Sequence, residues 1–203
     1  MTGLARPFLF DTLSPTAAQA VERCATERRF RVGELLLEGG ARAEWLHVIR
    51  KGLVREYYVT ADGDEHTRVF VSEGGVTGSL LDLAAGSPSV TWIQALEPTR
   101  TLAIRFADFN ELAARYADMQ TLARRHAEAL AVRKTKREYE MLALPAATRL
   151  ARWQAEHPDL DGRITRRLLA SYLGITPVHL SRISARSRPT ATAGRRETGE
   201  PQR

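Results

Sequence analysis

The alternation of apolar and polar residues divides the chain into regions with different periodic patterns, some typical of helices and others of strands. Ser14 followed by Pro15 is typical of a helix start, and the pattern predicts a helix over residues 16–28. From residue 30 to about 105, short apolar runs separated by glycines indicate closely spaced strands at 35–37, 45–49, 53–59, 67–71, 90–95 and 101–104. Asp62-Gly63 predicts a hairpin turn between two of them. Because turns rather than helices separate the runs, they predict a barrel or jelly roll.

A long helix is predicted for residues 107–142, which contain neither proline nor glycine. Along it, mainly apolar residues recur at alternating steps of four and three, the a and d spacing of a helix seam. These residues are Leu112, Tyr116, Met119, Ala123, His126 and Leu130. Two interpretations stay open: the helix lies on its own β-domain, or it pairs with its copy in a homodimer. Each could hold for a different stretch.

After Pro145, the pattern predicts a helix over 146–155 and then two short helices separated by Gly174. A helix-turn-helix needs a small residue where its helices approach, a turn residue that tolerates positive φ, and an apolar core. Ala170 and Gly174 meet the first two needs, and the core is supplied by Leu169, Leu173, Ile175, Leu180 and Ile183. Thr176 with Pro177 is typical of the start of the second helix. The sequence therefore predicts a helix-turn-helix within residues 166–185.

Charge is distributed unevenly along the 203 residues. The net charge is +6, made of −3 in residues 1–123 and +9 in residues 124–203. A basic C-terminal part favours a polyanion such as DNA as its partner, although a solvated surface with a basic tail gives the same balance.

The predicted second helix would enter the major groove of DNA with its N-terminal residues toward the bases. Arg182 is the candidate for reading a guanine, because its guanidinium can bridge O6 and N7. Val178 could contact a thymine methyl, and Thr176, Ser181, Arg166 and Arg167 suit phosphates. The full set of candidate DNA-binding residues is Arg166, Arg167, Thr176, Pro177, Val178, His179, Ser181 and Arg182.

A β-roll, a long helix and a helix-turn-helix together resemble the cyclic-AMP receptor / fumarate-nitrate regulator family of bacterial transcription factors. The resemblance covers roughly residues 10–185. It depends on GELLLEGG (33–40), VIRKGLVREYY (48–58), ADGDEHTRVF (61–70), GSLLDLAAGSPSVTWIQALE (78–97) and ASYLGITPVHLSRI (170–183). It implies an α+β fold with an N-terminal antiparallel β-roll of the cyclic-nucleotide-binding type. It also implies a homodimer that pairs through the long helix and binds near-palindromic operators.

The chain departs from the family's cyclic-nucleotide cassette, in which a glutamate follows a glycine and an arginine comes some ten residues later. Gly78 is present, but Ser79 replaces the glutamate, Ser89 the arginine, and Val90 the Ser or Thr after it. A buried phosphate needs a charged partner, and residues 74–99 contain no Lys or Arg. We therefore expect a subgroup that does not bind cyclic AMP. Its pocket, neutral and either filled or open to a small neutral effector, would be lined by Gly78, Ser79, Leu80, Leu81, Ser89, Val90 and Thr91.

The second helix departs as well, since of the family's three base-contacting positions only Arg182 matches. The operator sequence therefore does not carry over, and the hairpin wing that commonly follows is missing. The expected domains are the roll (1–106), the dimerisation helix (107–142), the DNA-binding part (143–186) and a disordered basic tail (187–203). A ligand-sensing or interaction module of the same fold, with little or no DNA binding, is the alternative.

Other function classes find little support. The longest apolar runs are too short to cross a membrane, and the N-terminus does not resemble a secretory signal, so we expect a cytoplasmic protein. The single cysteine, Cys24, excludes an intrachain disulfide and a Cys-rich metal site. The sequence contains no catalytic motif, and we expect no enzyme activity, metal or cofactor. The expected partners are an operator in double-stranded DNA, a second copy of the chain and, for an activator, RNA polymerase.

Overall fold

The computed structural model describes residues 12–186, and its centre is a roll of two four-stranded sheets. One sheet has the order β1-β8-β3-β6 and the other β2-β7-β4-β5, and all pairings are antiparallel. The strands are β1 (Thr26–Phe30), β2 (Leu35–Leu37), β3 (Trp45–Lys51), β4 (Val54–Val59), β5 (Glu65–Val71), β6 (Val76–Thr77), β7 (Trp92–Ala95) and β8 (Thr99–Arg105). This jelly-roll-like architecture confirms the predicted β-roll. Gly63, at φ 86°, forms the predicted turn between β4 and β5.

The lead-in helix is shorter than its sequence predicts. Helix α1 (Pro15–Cys24) begins where expected, with the Ser14 hydroxyl accepting from the backbone N–H of Ala17. It ends four residues early, because residues from Thr26 onward pair with β8 as strand β1. Pairing with a strand some 70 residues away overrides the helical pattern of this polar segment.

The predicted single helix over 107–142 is two helices. Helix α3 (Phe106–Arg115) and helix α4 (Ala117–Ala143) are separated by Tyr116, whose backbone is extended at φ −119° and ψ 121°. A further short helix, α2 (Leu80–Ala85), joins β6 to β7. It lies within the segment that the sequence assigned to the effector pocket.

Three more helices follow Pro145: α5 (Ala146–Glu156), α6 (Arg166–Leu173) and α7 (Pro177–Arg186), with a 3-10 turn at Pro158–Leu160. Gly174 ends α6 at φ 66°, a conformation that favours glycine. The Thr176 hydroxyl caps α7 by accepting from the backbone N–H of His179 at 3.2 Å. Both features were predicted from the sequence, and Ala170, Leu173, Leu180 and Ile183 are buried as expected.

Helices α5, α6 and α7 pack against the roll. Leu53 and Phe70 of the roll share one apolar cluster with residues of these helices, among them Trp153 and Leu173. The Ser171 hydroxyl of α6 donates to the carbonyl of Glu65 and accepts from the N–H of Thr67, at 3.0 and 2.9 Å. This edge contact fixes α6 on strand β5.

Two groups of predictions concern residues outside the described part: the basic tail (187–203) and the first eleven residues of the expected roll domain. Within residues 12–186, we find no helix with the length and apolar character that a membrane crossing would require.

Candidate functional site

The predicted effector pocket exists as a small cleft between the N-terminus of α2, strands β4 and β5, and helix α4. Five of the seven predicted residues line it: Ser79, Leu80, Leu81, Val90 and Thr91. Gly78 and Ser89 do not, and Ser89 is buried beside the cleft. The cavity measures about 30 Å³, which is room for a water molecule rather than for a nucleotide.

A buried carboxylate organises this cleft. Asp82 accepts hydrogen bonds from the hydroxyls of Ser79 and Ser89, at 2.5 and 2.8 Å. Ser79 adopts a left-handed conformation at φ 53°, the one non-glycine residue with positive φ in the described part. Both serines that replace the family's charged ligands are therefore used in bonding to an acidic group. A carboxylate at this place disfavours a phosphate, because like charges repel strongly where water is scarce.

The expectation of a neutral pocket is wrong. Besides Asp82, the cleft is lined by Arg68 and Lys134, which come from β5 and α4 rather than from the segment 74–99. The Arg68 guanidinium is paired with Glu56, and Lys134 is exposed. The composition of the segment 74–99 alone could not reveal these groups, because the fold brings Arg68 in from six residues before the segment and Lys134 from 35 residues after it.

Helix α7 presents its predicted contact residues to solvent. Thr176, Pro177, Val178, His179, Ser181 and Arg182 are all exposed, as are Arg166 and Arg167 at the start of α6. Arg166 donates to the Ser184 hydroxyl at 3.2 Å, while Arg182 has no hydrogen bond or ion pair within residues 12–186. The structure therefore leaves all eight side chains open to solvent, two at the start of α6 and the others at the start of and along α7.

The six residues of the predicted seam make contacts within the chain itself, which favours the interpretation that this stretch of the helix lies on its own β-domain. Pairing of the same residues with a second copy stays a prediction. Leu112, Tyr116 and Met119 pack with Ala17 and Val21 of α1. Ala123 and His126 cover an apolar cavity beside the roll, and Leu130 lines the small cleft. The spacing found a true apolar stripe, but an apolar stripe does not specify which surface covers it.

A second stripe on α4 is open to solvent and was missed in the sequence. Val132, Tyr139 and Leu142 are 68, 53 and 81% exposed. Together with Thr135 they follow steps of three, four and three residues. The spacing of these residues is visible in the sequence, but the stronger apolar pattern of residues 112–130 was assigned as the dimer seam instead.

Comparison with known proteins identifies the roll and the overall fold. Residues 27–116 match the family model described as a cyclic nucleotide-binding domain. No curated protein matches the chain. Among solved structures, FixK2 from Bradyrhizobium japonicum is similar with a TM-score of 0.70 and 21% identity, over 80% of this chain and 83% of that chain.

Two further solved structures share the architecture. The catabolite activator protein of Thermus thermophilus has a TM-score of 0.54 and 21% identity, over 88% of this chain and 85% of that chain. A CooA mutant from Carboxydothermus hydrogenoformans has a TM-score of 0.70 and 16% identity, over 92% of this chain and 85% of that chain. The chain thus shares the fold of these three proteins, and at these identities the likeness concerns the fold alone.

Proposed function

We propose that this protein is a homodimeric transcription regulator that binds double-stranded operator DNA through α6 and α7, and that its roll does not take cyclic AMP. The observation that carries the proposal is the surface of α7. One face of this helix, with Leu180 and Ile183, is buried, whereas the opposite face exposes an unpaired Arg182. A short helix held on a scaffold with free hydrogen-bonding groups suits insertion into the major groove.

Six of the eight exposed residues have an expected role in DNA binding. Arg182 would read a guanine by a bidentate contact, and Val178, 62% exposed, would contact a thymine methyl. Thr176, Ser181, Arg166 and Arg167 would bind phosphates and set the register of the helix on the duplex. Because the helix carries one arginine among its reading positions, we expect sequence preference to be concentrated at one base pair of each half-site.

The exposed stripe of α4 supports the proposed homodimer. Large apolar side chains at a and d spacing are costly to leave in water, and an identical helix with the same stripe covers them symmetrically. In such a dimer, Val132, Tyr139 and Leu142 would meet their copies. The two α7 helices would then occupy half-sites about one helical turn, ~34 Å, apart. If the protein activates transcription, RNA polymerase is the further partner.

Replacement of Arg182 by alanine tests the DNA-reading role. The free energy of binding to the selected operator should fall by roughly 1–3 kcal/mol, and discrimination at one base pair of each half-site should be lost. The measurement is a titration with labelled operator, selected from genomic fragments, and with its single-base variants at two salt concentrations.

Arg186→Ala is the matched control, because Arg186 is an exposed arginine at the other end of the same helix. It should weaken all sequences alike and leave discrimination intact. Weak, unselective binding of the unaltered protein that modest salt abolishes would instead favour the alternative, a sensing or interaction module with little DNA binding.

The small volume of the cleft and the buried carboxylate of Asp82 predict that cyclic AMP does not bind. A ligand present at one hundred times its dissociation constant stabilises a protein by about 2.7 kcal/mol, so binding would raise the unfolding midpoint clearly. We expect no shift with about 1 mM cyclic AMP and no saturable heat in calorimetry, beside a cyclic-AMP-binding protein as positive control. A saturable signal would show that Lys134 and Arg68 bind the phosphate despite Asp82.

A further inference from the structure

A second cavity lies outside the roll, between its β1-β8-β3-β6 sheet and helices α3 and α4. Its volume is about 190 Å³, and Leu46 and Ile104 of the sheet, Phe109 of α3 and Ala123 of α4 are among its walls. A cavity of 150 Å³ lined by similar side chains is known to bind benzene. This cavity is therefore large enough for an organic molecule of about nine or ten heavy atoms.

Two polar groups interrupt the apolar lining. Asn110 of α3 and His126 of α4 both line the cavity. Within residues 12–186, neither side chain donates or accepts a hydrogen bond. Burial lowers the pKa of His126, assisted by the nearby charge of Arg133, so that the imidazole is neutral at pH 7. An amide and a neutral imidazole can each donate to or accept from a hydroxyl.

The charge of the lining narrows the class of ligand. The described residues that line the cavity include no Lys, Arg, Asp or Glu. An anion or a cation would lose its hydration there without gaining a partner of opposite charge. A hydrocarbon would fit the apolar walls but would use neither the exposed Asn110 amide nor the half-buried His126 imidazole, whereas a ligand hydroxyl can bond to either group.

We propose that this cavity is a binding site for a neutral, mainly apolar molecule of about nine or ten heavy atoms that carries one hydroxyl or comparable hydrogen-bonding group. The apolar body lies against Leu46, Ile104 and Phe109, and the polar group bonds to Asn110 or His126. Because α4 forms one wall, the ligand stabilises the position of this helix on the roll. A resulting effect on DNA binding depends on the proposed function, whereas ligand binding itself does not.

Three probes of similar size and different charge test the proposal on the full chain. They are 2-phenylethanol (neutral), phenylacetate (anionic) and 2-phenylethylammonium (cationic). Calorimetry should show saturable binding of 2-phenylethanol, with at least tenfold weaker binding of the two ions. In methyl NMR spectra, the signals of Leu46 and Ile104 should shift with the same saturation curve. Absence of saturable 2-phenylethanol binding up to about 10 mM, or equal binding of the ions, would overturn the proposal.

Variants locate the site. Ala123→Leu fills the cavity and should weaken 2-phenylethanol binding at least tenfold without lowering the unfolding midpoint. Ala129→Leu, an equal change at an exposed position of the same helix, should leave binding unchanged. His126→Leu together with Asn110→Leu should weaken 2-phenylethanol binding but not that of ethylbenzene. Unchanged binding to Ala123→Leu would place the ligand elsewhere and refute the assignment, whatever the outcome of the DNA titrations.

Discussion

Replacement of Met119 by aspartate is expected to unfold most of the protein rather than to separate a dimer. Met119 is fully buried and packs with Ala17 and Val21 of α1. Truncating a buried methionine costs about 2–5 kcal/mol, and burying an unpaired carboxylate adds several more. Since whole domains are stable by about 5–15 kcal/mol, this one change should remove most of the free energy of unfolding.

Three further variants make this result interpretable. Met119→Ala should lower the free energy of unfolding by about 2–4 kcal/mol and leave the protein folded, as measured by urea denaturation. Gln120→Asp, the exposed neighbour, should change it by less than about 0.5 kcal/mol. Val132→Asp should keep the fold and weaken self-association in sedimentation experiments. A folded, monomeric Met119→Asp protein would instead restore the seam that the sequence suggested.

The two stripes of α4 show what the sequence could and could not predict. The residues at a and d spacing were correctly identified as an apolar face, since periodicity depends only on local geometry. Which surface covers that face depends on α1 and on the break at Tyr116, and both arise from packing between distant segments. The same distinction explains why the roll, the Gly174 turn and the Thr176 cap were predictable, whereas strand β1 was not.

The charged groups of the effector cleft show the same difference between what local sequence and what tertiary structure determine. That Ser79 and Ser89 replace charged ligands could be read directly from the sequence. That Asp82, three residues from Ser79, becomes their shared acceptor depends on the left-handed backbone of Ser79 and the turn into α2. The approach of Arg68 and Lys134 depends on the whole roll. Local motifs thus indicate which chemistry is missing, and tertiary structure determines what takes its place.

The second large effect concerns His47 and acid stability. His47 lies in β3 with 2% of its surface exposed, its Nδ1 lies 3.0 Å from the Thr101 hydroxyl, and Phe30 contacts its ring edge-on. Burial, assisted by the charge of Arg28, lowers the pKa of His47 from 6.5 to about 4. The folded protein therefore holds the imidazole neutral in a range where the unfolded chain protonates it.

The sign of the effect follows from proton binding. Above pH 6.5 His47 is neutral in both the folded and the unfolded state, and its contribution to the free energy of unfolding is fully present. Between pH 6.5 and 4 only the unfolded chain binds the extra proton, which lowers the free energy of the unfolded state and therefore the stability of the fold. The full difference between the pKa of His47 in the folded and the unfolded state corresponds to about 3 kcal/mol of stability. About 2 kcal/mol of it should be lost between pH 7.5 and pH 5, as measured by urea denaturation.

His47→Gln keeps a hydrogen bond to Thr101 and should remove this part of the pH dependence. His66→Gln, at an exposed histidine, should retain it. Parallel curves for the unaltered and His47→Gln proteins would mean that the folded protein protonates His47 as readily as the unfolded chain does.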